Sequence, residues 1–183
     1  MKRIVWTFGL ISGAILSATM MISISLQKSI GEHSLIIGYT TMVLSFLLIF
    51  FGVRSYRDNV GHGMVSFGRA FAVGGLIMVI ASLCYVATWE VVYFKFMPDF
   101  AEKYATYAID KARRRGASEA EIQQKKAEMQ LFAERYKNPL YNSAMTFVEP
   151  LPVGLLMTLL AAGVLRRKRK EESRGTLASS AVI

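Results

Sequence analysis

The chain has 183 residues, is 53% hydrophobic and carries a formal net charge of +9, with a mean hydropathy of +0.35. That length suits one small domain, and that hydrophobicity excludes a disordered or ordinary water-soluble chain and points to one solvated by lipid. The basic residues gather at the ends of apolar runs, a placement that suits anionic headgroups and excludes nucleic acid as the expected partner.

Four apolar runs, at 5–26, 35–53, 71–94 and 142–165, predict helices that cross a membrane. Spanning about 30 Å of hydrocarbon takes roughly 20 residues at about 1.5 Å each, and all four runs suffice. The first follows Met1, Lys2 and Arg3, the charge order of a secretion signal. It is longer than a signal core and lacks a small-x-small cleavage pattern, so a retained helix is expected. Along it Gly9, Gly13 and Ser17 recur every four residues, a stripe that lets a second helix approach closely. Ser12, Thr19 and Ser23 supply hydroxyls on a broad face of the same helix.

The second span runs into Arg54 and Arg57, with Asp58 in reach of either. Gly61, Gly63 and Gly68 allow tight turns in the following loop, and Met64, Val65 and Phe67 are expected at the lipid interface. In the third span Gly74 and Gly75 offer further close approach, and Cys84 reads as a small buried hydrophobe. With one cysteine, disulfides and thiolate metal sites are excluded, and no cofactor is expected. Near the outer end of this span Glu90 stands among Tyr85, Trp89 and Tyr93, an interfacial aromatic belt.

Residues 98–138 form the one segment able to fold in water, and a helical hairpin is expected there. Its first helix starts near Pro98 and ends with Arg113, Arg114 and Arg115 before Gly116. Ser118 with Glu121 three residues on is a capping box, which opens a second helix that Pro139 ends. The fourth span carries Glu149 about eight residues in, followed by Pro150 and Pro152. Each proline removes a backbone donor and bends the helix, and a carboxylate beside broken helix in lipid needs a cavity or a partner. Glu149 and Glu90 are therefore the candidate intramembrane ion or proton site. The alternative leaves Glu90 at the interface and has Glu149 satisfied by a tyrosine, a serine, or a snorkelling Lys95 or Lys137.

Orientation rests on position, because the basic residues on the two sides are equal in number. The unbroken basic run 166–170 directly abuts the fourth span, which favours cytoplasmic termini. The membrane domain then covers 1–170, the hairpin is extracytoplasmic, and 171–183 is a disordered cytoplasmic tail. The expected fold class is an all-α integral membrane protein: a four-transmembrane-helix bundle with that hairpin between its third and fourth helices.

The loop between the second and third spans carries a resemblance. Gly52-Val53-Arg54-Ser55-Tyr56-Arg57-Asp58, then Ser66-Phe67-Gly68-Arg69-Ala70-Phe71 and Gly74, resemble the central signature of a bacterial family of small four-span inner-membrane proteins. That family is catalogued as a domain of unknown function. The resemblance implies a bacterial inner-membrane location and supplies no activity or functional residue.

No nucleophile elbow, zinc-protease or Walker-type motif occurs, and His33 and His62 fall in loops on opposite sides of the membrane. The sequence therefore predicts no catalytic and no metal-binding residue. It predicts a non-enzymatic accessory or scaffold protein acting through the hairpin or the cytoplasmic loop, with the bilayer and a second copy or another membrane protein as partners. The alternative is a small proton- or cation-linked transporter or channel that uses Glu149 and Glu90 as a homo-oligomer.

Overall fold

A computed structural model of the protein describes residues 1–30 and 34–167, with side chains described outside 25–37. The expected disordered tail at 171–183 and His33 lie outside the described residues. In chain order the helices are α1 (Lys2–Ile30), α2 (Ser34–Asn59), α3 (Phe67–Phe96), α4 (Phe100–Arg114), α5 (Glu119–Tyr136), α6 (Pro139–Val148) and α7 (Leu151–Leu165). Four helical stretches are long and apolar enough to cross a membrane: α1, α2, α3 and the pair α6–α7.

The helices outrun the apolar runs that predict them. α2 continues through Arg54 and Arg57 to Asn59, since long basic side chains reach polar surroundings without ending the backbone ladder. α3 starts at Phe67 because Ser66 caps it, its Oγ accepting the Arg69 N–H. In the loop between them His62 and Gly63 have φ of 50° and 83°. A Cβ on Gly61 would come within 2.0 Å of the Met64 carbonyl oxygen, so only glycine fits there. Val65, expected at the interface, is buried. It pairs antiparallel with Arg167 through backbone bonds of 3.2 and 3.0 Å, pinning the exit of α7 to the α2–α3 loop.

α1 and α3 run parallel and form the most extensive helix contact. Gly9 lies against Ile80 and Gly13 against Cys84, and Ser17 Oγ accepts a 2.8 Å bond from Thr88 Oγ1. The stripe at every fourth residue of α1 thus meets positions 80, 84 and 88, one turn of α3 after another. α2 and α7 run antiparallel to that pair. Gly52 admits Ile77, Gly74 sits against Ile49 and Thr158, and Gly154 admits Met78, whereas Gly75 meets nothing. Phe46, Ile49, Val53, Val73, Ile77 and Ala81 fill the centre with no exposed surface. The Ser12 hydroxyl donates to the Ser45 carbonyl at 2.8 Å, joining α1 to α2.

α4 and α5 pack on one another as the expected hairpin. Gly116, with φ 80°, closes α4 in the left-handed region. The capping box at the start of α5 is complete: the Ser118 N–H donates to Glu121 Oε2 at 2.7 Å and the Glu121 N–H to Ser118 Oγ at 3.4 Å. The Ser118 N–H and the Ser118 hydroxyl, both donating to it, hold the Glu121 carboxyl below the usual carboxylate range. A depressed folded value stabilises the helix above the unfolded value of about 4.3 and loses that contribution as pH falls through the folded one. Hydrogen exchange at the first turn of α5 is therefore expected to quicken below about pH 4.3, and Glu121→Gln to flatten that dependence. An unaltered profile in the variant contradicts it.

One boundary differs from expectation. Pro139, expected to end the second helix of the hairpin, does not: α5 has already stopped at Tyr136, and Pro139 opens α6. The Asn138 side chain accepts from the N–H groups of Leu140 and Tyr141. A proline fits the first helical turn, where its missing N–H costs nothing and its fixed φ is already helical.

Candidate functional site

Glu149 and Pro150 form a turn between α6 and α7. Pro150 cannot donate to the Thr146 carbonyl, nor Pro152 to that of Val148, so the backbone ladder loses two rungs within three residues. The two halves then part company: α7 packs on α2 and α3, while α6 is held by α3 and α5. A cavity of ≈ 240 Å³ opens at the break, between α1, α2, α3 and α6.

Its wall is chemically divided. Leu16, Met20, Ile24 and Met42 contribute hydrocarbon, and Thr19, Ser23, Thr41 and Thr146 contribute hydroxyls. Tyr85 and Trp89 of α3 contribute aromatic rings, and Phe100 and Tyr136, from the start of α4 and the end of α5, roof the cavity. Among the described residues, Glu149 is the one carboxylate in the wall. It is exposed, and it accepts a 3.1 Å bond from the Tyr85 hydroxyl.

Glu90 is elsewhere on the same seam. It is half-buried and accepts a 2.8 Å bond from Ser143 Oγ of α6. The partners of the two acids differ too: Tyr85, which holds Glu149, and Glu90 itself are five residues apart on α3, about 7.5 Å along its axis. Each carboxylate thus has its own hydroxyl across the α3–α6 contact, and only Glu149 meets the cavity. Lys137 pairs with Glu102 at 2.9 Å, outside the spans, and that carboxylate holds its ammonium above the ordinary range.

The roof is anchored by aromatic contacts. Trp89 Nε1–H donates to the Tyr136 hydroxyl at 3.0 Å, and the Trp89 ring meets Phe100 edge-on at 4.8 Å between centroids. Tyr93 adds an edge contact with Tyr136 at 5.3 Å. Asn142, fully buried, donates to the Tyr136 carbonyl at 3.3 Å and ties the hairpin to α6. Burial pushes the Tyr136 phenol up from its usual range, so it stays protonated.

Of the hydroxyls noted on α1, Thr19 and Ser23 line the cavity, and Ser12 serves the core. Thr146 gave one legible signal, its place one turn before Pro150. Tyr85 reads as an interfacial ring in sequence, and only the tertiary fold brings it to Glu149. A lone carboxylate with hydroxyls and freed carbonyls has the chemistry to hold a proton or a single positive charge. Among the described residues, no group of three or more His, Cys, Asp or Glu side chains is assembled for a metal ion.

Residues 7–167 match the family described as Protein of unknown function (DUF4199). No curated protein matches the chain, and no solved structure does. The matched stretch takes in the four apolar helices, the hairpin, the α2–α3 loop signature and the cavity, and it ends on Arg167, the residue that bridges to Val65. The chain belongs to the DUF4199 family.

Proposed function

We propose that this protein is a non-enzymatic, multi-pass protein of the bacterial inner membrane that binds and conducts a proton or monovalent cation through Glu149. The observation that carries the reading is the exposed Glu149 carboxylate opening into a cavity where its own helix is interrupted. Ionisable groups at membrane depth are costly, and paired half-helices with freed carbonyls are a recurrent way of holding cations there.

A second feature supports passage as well as binding. Ser12, Ser45 and Ser82 are fully buried about one turn inward of the cavity residues Leu16, Met42 and Tyr85. The hydroxyls of Ser45 and Ser82 have no hydrogen-bond partner among the described residues. Buried hydroxyls ordinarily have one, and a proton-carrying water moving inward supplies it. Glu90 with Ser143 is then an outer station on the same seam.

In this reading both termini and the α2–α3 loop are cytoplasmic, and the hairpin is extracytoplasmic. Lys2, Arg3, Arg54, Arg57, Arg69, Arg166 and Arg167 all belong to one end of the bundle, which supports that orientation. A scaffold role is the second reading. The exposure of Tyr104, Tyr107 and Leu131 on the hairpin favours it, but it leaves Glu149 without a use.

Reconstitution in liposomes tests the proposal. Under an imposed pH or Na⁺ gradient, Glu149→Gln is expected to cut protein-dependent flux about tenfold or more, the loss of one charge-assisted interaction of about 1.5–3 kcal/mol. Equal flux in the two proteins, or none in either, sinks it.

A further inference from the structure

We infer that the Glu149 cavity binds an alkylammonium ion: one positive head at the carboxylate and a hydrocarbon body against Leu16, Met20 and Met42. This inference rests on the cation reading above and names the class of cation.

Size comes first. A cavity of ≈ 240 Å³ is large beside the roughly 30 Å³ that a water molecule occupies in the liquid. A bare inorganic ion at Glu149 leaves most of that space unfilled. Charge comes next. Among the described residues the wall has one carboxylate, which balances one positive charge. Tyr85 takes one of the roughly four acceptor positions of that carboxylate, leaving others for N–H donors.

The wall chemistry decides between classes of monocation. Hard metal cations seek shells of six or more oxygens, and this wall is mainly hydrocarbon and aromatic ring, with Tyr85, Trp89, Phe100 and Tyr136 in the same lining as the acid. Aromatic rings attract organic cations through their π-faces, and the attraction strengthens where water is excluded. An alkylammonium ion uses every part of the wall. Its N–H groups reach the carboxylate and the Thr146 hydroxyl, its charge meets the rings, and its chain covers Leu16, Met20 and Met42. A neutral alcohol of equal length uses only the last of these.

Trp89 lies in the wall and gives the measurement. The chain has two tryptophans, so Trp6→Phe leaves Trp89 as the sole fluorophore of that type. The full chain in nanodiscs is titrated with n-butylammonium, n-butanol and Na⁺ at constant ionic strength. Butylammonium is expected to give a saturable change, with a half-point about tenfold or more below those of Na⁺ and butanol. Glu149→Gln is expected to raise that half-point about tenfold or more. If that variant loses the native thermal transition, Met42→Phe replaces it, filling the cavity with the carboxylate intact, and is expected to abolish the response.

A Glu149-dependent response to Na⁺ at concentrations equal to or below those of butylammonium overturns the alkylammonium class and leaves the cation reading standing. Butanol acting as well as butylammonium overturns the class too. No response to either cation, joined to unchanged flux in Glu149→Gln liposomes, overturns both.

Discussion

Gly13→Ala is expected to lower stability by about 1–3 kcal/mol, the usual cost of forcing an extra carbon into a closed contact. The new Cβ would lie 2.6 Å from Cys84 Cβ and 2.9 Å from its Sγ, with Ala81 Cα at 3.3 Å behind. None of those atoms is the free end of a long side chain, so α1 must move away from α3. That contact is the most extensive in the bundle, and its loss also disturbs the Ser17–Thr88 bond one turn on. The mechanism makes a sharper claim than destabilisation alone. Cys84→Gly removes both of the nearest atoms, so the double variant is expected to regain most of the lost stability. Thermal unfolding in detergent, followed by helical signal, measures each member of the cycle. Gly75→Ala is the control, because nothing lies within 4 Å of a Cβ there. A Gly13→Ala protein that melts with the wild type refutes the argument.

Trp89→Ala carries a comparable penalty, about 3–5 kcal/mol for deleting a buried aromatic side chain. Its consequence is local as well as global. Trp89 holds Tyr136 by a hydrogen bond and Phe100 by an edge contact, one at each foot of the hairpin. Without it, α4 and α5 keep their contact with each other and lose much of their hold on α3. Amide exchange throughout α4 and α5 is expected to quicken far more than in α2 and α7, and the cavity to lose its roof. Trp6→Ala removes the other indole from a site that is 56% exposed and is expected to leave the hairpin unchanged. Equal exchange in the Trp89→Ala and Trp6→Ala proteins rules out the clasp.

How far the sequence reaches depends on whether a feature is local. The four spans follow from length and hydropathy, which need no tertiary information. The capping box and Gly116 are equally local, since a side chain and its partner N–H lie within four residues. The stripe at Gly9, Gly13 and Ser17 is legible as a packing face because its period repeats. Its partners Ile80, Cys84 and Thr88 are not, because the receiving face bears no composition of its own. Gly52 and Gly154 show the same limit, for a single glycine in an apolar run has no spacing to mark it. Pro139 misleads because a proline is equally at home just after one helix and at the start of the next. Asn138, the residue before it, decides the matter as the cap. The break at Glu149 is written in Pro150 and Pro152. The cavity is not, since Leu16, Met42, Tyr85 and Tyr136 are brought together only by packing.

The Val65–Arg167 bridge sets an order of assembly. Spans emerge from the ribosome one after another, and early elements settle before later ones exist. The α2–α3 elbow is made early, but the bridge partner of its buried Val65 does not exist until Arg167 has been synthesised. Arg167 follows the fourth span by two residues, so the chain cannot close the elbow with only three helices inserted. Those two hydrogen bonds make completion of the last helix a condition for finishing the turn between the second and third.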